Sequence, residues 1–191
     1  MDKLRILVAD DEAIIRLGLR GMLAQMGHEV LLAADGREAL NIARTSRPDL
    51  ALLDIRMPQV DGLDVARTLN ERQPLPIIFL TAYSEQDLIA EAAELKVQNY
   101  LIKPVDERDL VAAIPIAVAK FRDGQAAQNR IDELEETIET RKLVDRAKGI
   151  LMQAGSSEDQ AYHTLQKRAR DERISMRQVA EDILRKAGRL K

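Results

Sequence analysis

The sequence contains no cysteine among its 191 residues. Disulfide bonds, thiolate nucleophiles and cysteine-rich zinc sites are therefore excluded. There are only two histidines, His28 and His163, which lie far apart in sequence, so neither a histidine-based metal site nor a Ser-His-Asp triad is expected. Aromatic residues make up 3% of the chain, which argues against a base-stacking platform or an aromatic cage.

Long apolar runs are also missing from the sequence. No stretch approaches the roughly 18 apolar residues that a membrane-spanning helix needs. The opening residues MDKLRILVADDE do not have the architecture of a signal peptide. We therefore expect a soluble, cytoplasmic protein that has no membrane partner.

Charge is abundant but unevenly distributed. Residues 141–191 carry 13 Lys and Arg against 7 Asp and Glu, a net charge of +6. Residues 1–140 carry 16 Lys and Arg against 25 Asp and Glu, a net charge of −9. An acidic front and a basic tail predict two domains that have different partners.

Short apolar runs alternate with segments of helical spacing over residues 1–120. The predicted strands cover 4–9, 29–34, 49–54, 76–82 and 97–102. The predicted helices cover 12–26, the neighbourhoods of 39–43 and 63–69, then 85–95 and 106–120. Five strands that alternate with five helices are typical of an α/β domain, in which a doubly wound parallel sheet is covered on both faces.

The remaining residues contain no strand candidate. Residues 121–140 are polar, with Ile131, Leu134 and Ile138 at spacings of three and four. This pattern fits a short coiled-coil seam, a helix that lies on a neighbour, or a solvated linker helix. Residues 141–191 predict a small all-α domain of three helices, the second and third of which begin with capping boxes at Ser157 and Ser175.

Polar side chains follow several of the predicted strands. Asp10 and Asp11 come after the first strand, and Asp54 ends the third. Thr81 lies at the end of the fourth, and Lys103 follows the fifth. In doubly wound sheets these positions meet at the edge where ligands bind. Each side chain alone also has a structural explanation, as a helix cap, a strand residue or a surface charge.

Clustered carboxylates suggest a particular chemistry. They repel one another unless a cation lies among them. Oxygen ligands favour a hard ion, Mg²⁺ first. Such an ion, together with a lysine and a threonine hydroxyl, would stabilise a phosphoryl group formed by nucleophilic attack of the Asp54 carboxylate.

The front domain carries a recognisable set of short motifs. They are Asp10-Asp11, Asp54 with Met57-Pro58 and Asp61-Gly62, Thr81-Ala82, and Lys103-Pro104. This set resembles the receiver domain of bacterial two-component response regulators, which has a flavodoxin-like fold, over residues 1–120. The resemblance implies a regulator rather than an enzyme, with Asp54 as the acceptor of a phosphoryl group from a sensor histidine kinase.

The resemblance also implies roles for the neighbours of Asp54. Asp11, Asp54 and the backbone carbonyl of Arg56 would ligate Mg²⁺, and Asp10 would act mainly through a water molecule. Phosphorylation would promote a homodimer.

Three further residues acquire implied roles. Lys103 would pair with the phosphoryl oxygens, before a cis Pro104. Thr81 would turn toward the phosphoryl group, and Tyr100 would follow from an exposed to a buried position. Pro115 lies in the last receiver helix, which often forms the dimer face in this family, so we do not assume the usual dimer geometry.

The tail has its own motifs. They are Ala147-Lys148-Gly149-Ile150-Leu151-Met152, Glu158, Ala161-Tyr162, Leu165, Ala169 and Val179-Ala180. They resemble the ANTAR family of RNA-binding modules in transcription antiterminators. The resemblance implies binding to hairpins in nascent mRNA leaders. The candidate phosphate-binding residues are Arg141, Lys142, Arg146, Lys148, Lys167, Arg168, Arg170, Arg173 and Arg177.

Alternatives stay open for the tail. Its basic residues are interspersed with acids and could be the polar side of a small bundle. A helix-turn-helix that binds DNA and a surface that docks a partner protein also fit three short helices. We assign residues 1–120 to the receiver domain, 121–140 to a helical linker or coiled coil, and 141–191 to the ANTAR domain.

Overall fold

A computed structural model describes residues 3–82 and 97–189 of the chain. The helix predicted over 85–95 lies outside the described residues. The chain divides into two compact units, Met1–Gln125 and Ala126–Lys191. Each unit is described by itself below.

The first unit is built on a five-stranded parallel sheet. Its strands are β1 (Arg5–Ala9), β2 (Glu29–Ala33), β3 (Leu50–Asp54), β4 (Ile77–Thr81) and β5 (Asn99–Ile102), in the spatial order β2-β1-β3-β4-β5. Every neighbouring pair is parallel. The predicted doubly wound parallel sheet is confirmed.

Helices cover both faces of this sheet. They are α1 (Ala13–Gln25), α2 (Gly36–Ser46), α3 (Gly62–Arg72) and the first turns of α4 (Glu107–Gln153). Successive side chains of β3 point to opposite faces of the sheet. Ala51 and Leu53 join the core under α2 and α3, and Leu50 and Leu52 join the core under α1 and α4. A strand that is buried on both faces must be apolar throughout, which is why LALL precedes Asp54.

Helix α4 differs from the sequence prediction. Three helical segments were expected over 106–120, 121–140 and the start of the tail, but the structure has one helix of 47 residues. Asp123-Gly124, a pair typical of turns, lies among these segments, yet the helix runs through it without a break. Pro115 removes one backbone N–H donor, and the helix continues past it.

The second unit is all helical. The last turns of α4 pack with α5 (Glu158–Glu172) and α6 (Met176–Lys186). The buried core residues are Leu143, Val144, Ala147, Leu165, Val179, Ala180 and Leu184. Both predicted capping boxes are present, since the side chains of Ser157 and Ser175 each accept a hydrogen bond from the backbone three residues on.

Two features complete the second unit. The side chain of Tyr162 on α5 is 43% exposed, whereas its neighbour Ala161 is fully buried. Ile131, Leu134 and Ile138 are about half exposed on α4. Within the described residues of the chain, no helix is both long enough and apolar enough to cross a bilayer.

Candidate functional site

Three carboxylates meet at the carboxyl ends of β1 and β3. The register of these parallel strands pairs Ala9 with Leu53, so the next residues, Asp10 and Asp54, come side by side. One oxygen from each of Asp10, Asp11 and Asp54 lies within 4.8 Å of the others. Asp10 is fully buried and Asp54 is 5% exposed, whereas Asp11 is exposed. The cluster therefore has a dry base and a mouth that opens to solvent.

Lys103 reaches this cluster from the end of β5. Its Nζ lies 2.7 Å from Asp10 Oδ2 and 2.8 Å from Asp54 Oδ2. Its backbone N–H donates to the carbonyl oxygen of Thr81 at 2.8 Å, which aligns the end of β5 with that of β4. The Lys103–Pro104 peptide bond is cis, as the sequence resemblance implied.

Burial and charge act in opposite directions on these groups. Burial raises the pKa of Asp54, and the nearby charge of Asp10 adds to the rise, while the hydrogen bond and charge of Lys103 reduce it. Burial lowers the pKa of Lys103, but the hydrogen bonds and charges of Asp10 and Asp54 outweigh burial and raise it. Lys103 is therefore a cation at neutral pH, and it offsets only part of the negative charge.

The donor set fits a hard divalent cation. Asp10 Oδ2 is buried, and the Lys103 ammonium lies 2.7 Å from it. The backbone N–H of Arg56 lies 3.4 Å from Asp54 Oδ1, so the chain passes directly over the carboxylate there. Carboxylate oxygens without histidine or cysteine are the ligands that Mg²⁺ prefers. Asp10, Asp11 and Asp54 would hold the ion.

Close backbone contacts fix the loop that follows β3. The N–H of Gly62 donates to the carbonyl oxygen of Ile55 at 2.9 Å. A Cβ added at Gly62 would overlap the backbone carbonyl of Asp54, and one at Gly36 would overlap that of Val60. Sequence reasoning missed these contacts, because they depend on the three-dimensional course of the chain and not on local spacing.

A second missed neighbour is Arg16 on α1. Its Nη1 donates to the backbone carbonyl oxygen of Asp10 at 2.7 Å and so holds the end of β1. The sequence carries no signal for this role, since nothing in its pattern distinguishes Arg16 from Arg20 on the same helix.

The two candidate switch residues occupy different environments. Thr81 is fully buried, and its hydroxyl donates to the carbonyl oxygen of Ala82 at 3.1 Å. Tyr100 lies on the edge strand β5 with 49% of its surface exposed. The structure thus has Tyr100 in an outward position.

The nine basic residues predicted in the tail fall into two groups. Five are engaged within the second unit: Lys142 with Glu139, Arg146 with the carbonyl oxygen of Arg189, Lys148 with Asp145 and Glu158, Arg168 with Glu172 and Asp182, and Arg177 with Glu181 and Glu136. The other four are exposed and make no ion pair with any described residue. They are Arg141, Lys167, Arg170 and Arg173.

Lys148 illustrates why the five engaged side chains are less available to bind phosphate groups. Its Nζ lies 2.8 Å from Glu158 and 3.2 Å from Asp145, and its side chain is only 16% exposed. The hydrogen bonds to these two acids raise the pKa of Lys148. The residue links α4 to the first turn of α5.

Comparisons with known proteins agree on both units. The model of the response regulator receiver domain matches residues 6–115, and that of the ANTAR domain matches residues 132–184. The transcriptional regulatory protein PdtaR of Mycobacterium tuberculosis is 41% identical over 96% of this chain and 91% of its own length.

Solved receiver structures match the first unit. The receiver domain of AraT, a response regulator from Geobacillus stearothermophilus, is 36% identical with a TM-score of 0.58, over 65% of this chain and 99% of that one. A receiver domain protein from Clostridium thermocellum is 32% identical with a TM-score of 0.58, over 62% and 96% of the two chains.

Proposed function

Because the chain belongs to the response regulators that join a receiver domain to an ANTAR domain, we propose that it is a phosphorylation-controlled transcription antiterminator. The observation that carries the proposal is the position of Asp54. Its buried carboxylate faces a lysine ammonium and two further carboxylates at the edge of the sheet. That arrangement presents Asp54 as an acceptor, and Lys103 together with a cation held by the carboxylates would offset the charge that a phosphoryl group brings.

Asp54 acts as the nucleophile in the proposed reaction. One of its carboxylate oxygens attacks the phosphorus of a phosphohistidine on a sensor histidine kinase. The P–O bond forms as the P–N bond breaks, and the electron pair leaves with the imidazole. Lys103 stays charged and pairs with the phosphoryl oxygens. Asp10, Asp11 and Asp54 would hold a Mg²⁺ ion, which would supply stabilisation of the negative charge during the transfer.

Thr81 and Tyr100 are the proposed switch residues. The Thr81 hydroxyl lies at the end of β4, next to the strand that carries Asp54, and would bond a phosphoryl oxygen. When the Thr81 side chain turns toward the phosphoryl group, the Tyr100 ring would fill the space that it leaves. Phosphorylation would then shift the population between two existing states of the receiver.

We propose that the phosphorylated state is a homodimer. Ile131, Leu134 and Ile138 form an exposed apolar stripe at coiled-coil spacing, which a second copy of α4 would cover. Pairing two chains along this stripe brings two ANTAR domains to one RNA molecule.

The tail is the proposed RNA-binding output. We place its main phosphate contacts on the exposed and unpaired cations, Arg141, Lys167, Arg170 and Arg173. Tyr162 is exposed and could stack on an unpaired loop base, the usual mode of reading single-stranded RNA. The ligand would be a hairpin in a nascent mRNA leader.

The functional boundaries that we propose are 1–120 for the receiver, 121–140 for the linker and 141–191 for the output domain. The compact units, which divide after Gln125, and the family matches over 6–115 and 132–184 support two domains, while the linker bounds 121–140 rest on the polar composition of that stretch.

Transfer of label from a small phosphodonor tests the acceptor. Wild-type protein incubated with Mg²⁺ and radiolabelled acetyl phosphate should become labelled, and Asp54→Asn should not. Asp123→Asn changes an exposed carboxylate on α4 and serves as the matched control, which should label normally. Labelling that persists in Asp54→Asn, with an unchanged melting temperature, would place the acceptor elsewhere.

A further inference from the structure

One carboxylate of the acidic cluster is not fixed by contacts of its own side chain. Asp10 and Asp54 are buried, and the Lys103 ammonium lies 2.7 Å from the first and 2.8 Å from the second. Asp11 is exposed, and its carboxylate makes no hydrogen bond or ion pair with any residue in 3–82 or 97–189. One of its oxygens nevertheless lies within 4.8 Å of those of the other two. The position of the Asp11 carboxylate therefore depends on the backbone that carries it.

That backbone leaves the sheet at Asp10. The pairing of β1 ends at Ala9, which lies opposite Ala33 on β2 and Leu53 on β3. The N–H of Asp10 still donates to the carbonyl oxygen of Ala33, at 3.3 Å. The peptide group that joins Asp10 to Asp11 lies beyond the last pair, so strand pairing does not fix its orientation.

Arg16 fixes the orientation of this peptide group instead. From a half-buried position on the first turn of α1, its Nη1 donates to the carbonyl oxygen of Asp10 at 2.7 Å. A hydrogen bond from a charged donor is stronger than one between neutral groups. On the other side of Asp11, the N–H of Glu12 donates to Asp10 Oδ1 at 2.8 Å. The two contacts together hold the backbone before and after Asp11.

We propose that Arg16 is a positioning residue for the Mg²⁺ site, which orients the exposed Asp11 carboxylate through the backbone carbonyl group of Asp10. The inference rests on the proposed function, in which the three carboxylates hold the ion. Groups that orient metal ligands typically contribute about 10- to 100-fold to metal affinity. Because Arg16 acts through the backbone, we expect its loss to weaken Mg²⁺ binding by about tenfold, the lower end of this range.

The charge of Arg16 would have the opposite effect on Mg²⁺. A guanidinium beside a cation site repels the cation, so charge alone would make Mg²⁺ binding tighter once the arginine is removed. Arg16 forms no ion pair with any residue that the structure describes. Arg16→Gln therefore removes one charge and the hydrogen bond to Asp10. The direction of the change in affinity separates positioning from charge.

Calorimetric titration of Mg²⁺ into the unphosphorylated full-length protein measures this affinity. Arg16→Gln should raise the Kd for Mg²⁺ by about tenfold. Arg16→Lys keeps the charge, but its ammonium lies closer to the backbone and lacks the planar fork of donors, so its Kd should lie between those of wild type and Arg16→Gln. Arg20→Gln is the matched control, because it removes the same charge from an exposed position on the same helix. It should bind Mg²⁺ as wild type does.

Labelling by acetyl phosphate gives a second measurement. Arg16→Gln should raise the Mg²⁺ concentration for half-maximal labelling rate by about tenfold, and saturating Mg²⁺ should restore most of that rate. A purely structural role of Arg16 would lower the melting temperature measured without Mg²⁺ and leave the half-maximal concentration unchanged. The two roles therefore differ in what they change.

Three results distinguish the inference from the function on which it rests. Mg²⁺ binding by Arg16→Gln that equals or exceeds that of wild type would overturn the positioning role and leave the proposed function intact. If Arg16→Gln does not fold, a wild-type Kd for Arg16→Lys would overturn that role as well. Wild-type protein that does not bind Mg²⁺ would refute the proposed function and the inference together.

Discussion

The close packing of Gly62 against the backbone of Asp54 predicts that a larger residue at position 62 would displace the phosphoryl acceptor. A Cβ added at Gly62 would overlap the carbonyl oxygen of Asp54, and it would lie 2.9 Å from the carbonyl carbon and 3.1 Å from Ile55 Cα. All three are backbone atoms, which cannot rotate away as a flexible side chain can. Gly62→Ala must therefore displace the end of β3 or the start of α3.

The magnitude follows from the size of the overlap. Relieving it requires a shift of about 1 Å, because carbon atoms pack at about 3.5 to 4.0 Å. Overpacking of this kind costs about 1–3 kcal/mol of unfolding free energy. A misplacement of about 1 Å at a reacting group costs about 100-fold in rate. We expect Gly62→Ala to lose both stability and most of its phosphorylation by acetyl phosphate.

Gly21→Ala is the matched control. Gly21 lies inside α1, and a Cβ there would meet nothing within 4 Å. Alanine should stabilise the helix by about 0.5–1 kcal/mol and leave the phosphorylation rate unchanged. Urea unfolding gives the free energies, and label incorporation gives the rates. A Gly62→Ala protein that matches wild type in both measurements would refute the account of how Asp54 is held.

Three further predictions concern other parts of the chain. Ser157→Ala should cost about 1 kcal/mol in urea unfolding through the lost helix cap, and Ser156→Ala much less. Lys167→Gln should weaken RNA binding and lower its salt slope by about 1, whereas Lys148→Gln should chiefly lower the melting temperature, since it leaves two acids unpaired. Burial lowers the pKa of His28 in the folded protein, so the unfolded chain is protonated first as the pH drops. The free energy of unfolding should therefore fall as the pH drops through about 6.5. Thermal melts at pH 7.5 and 5.5 should show a smaller drop in melting temperature for His28→Gln than for wild type.

Local rules account for the parts of the fold that could be predicted from the sequence. LALLD is apolar because β3 is covered on both faces, and that pattern is visible without a structure. The starts of α5 and α6 follow from Ser157 and Ser175, whose capping boxes are complete within four residues. The sheet itself follows from the alternation of such segments.

Packing over long distances explains what the sequence did not show. The single helix α4 was predicted as three segments because the residue pattern turns polar over 121–140, whereas no turn interrupts the backbone. The motif Ala161-Tyr162 does not show which of its residues is buried, and in the fold Ala161 is buried while Tyr162 is 43% exposed. Charge counting could not separate paired cations such as Lys148 from those, such as Lys167, that form no ion pair within the described part of the chain, because pairing depends on the three-dimensional neighbours.

RNA affinity as a function of phosphorylation tests the central claim most directly. The full-length protein is titrated with a leader RNA that carries two hairpins, and with a DNA duplex, over a range of salt, with and without Mg²⁺ and beryllofluoride. Beryllofluoride on Asp54 stands in for the phosphoryl group, and Asp54→Asn is the control. The account predicts salt-sensitive RNA binding that tightens with beryllofluoride in wild type and not in Asp54→Asn. Preferential binding to the DNA duplex would contradict the account, and so would an RNA affinity that beryllofluoride leaves unchanged.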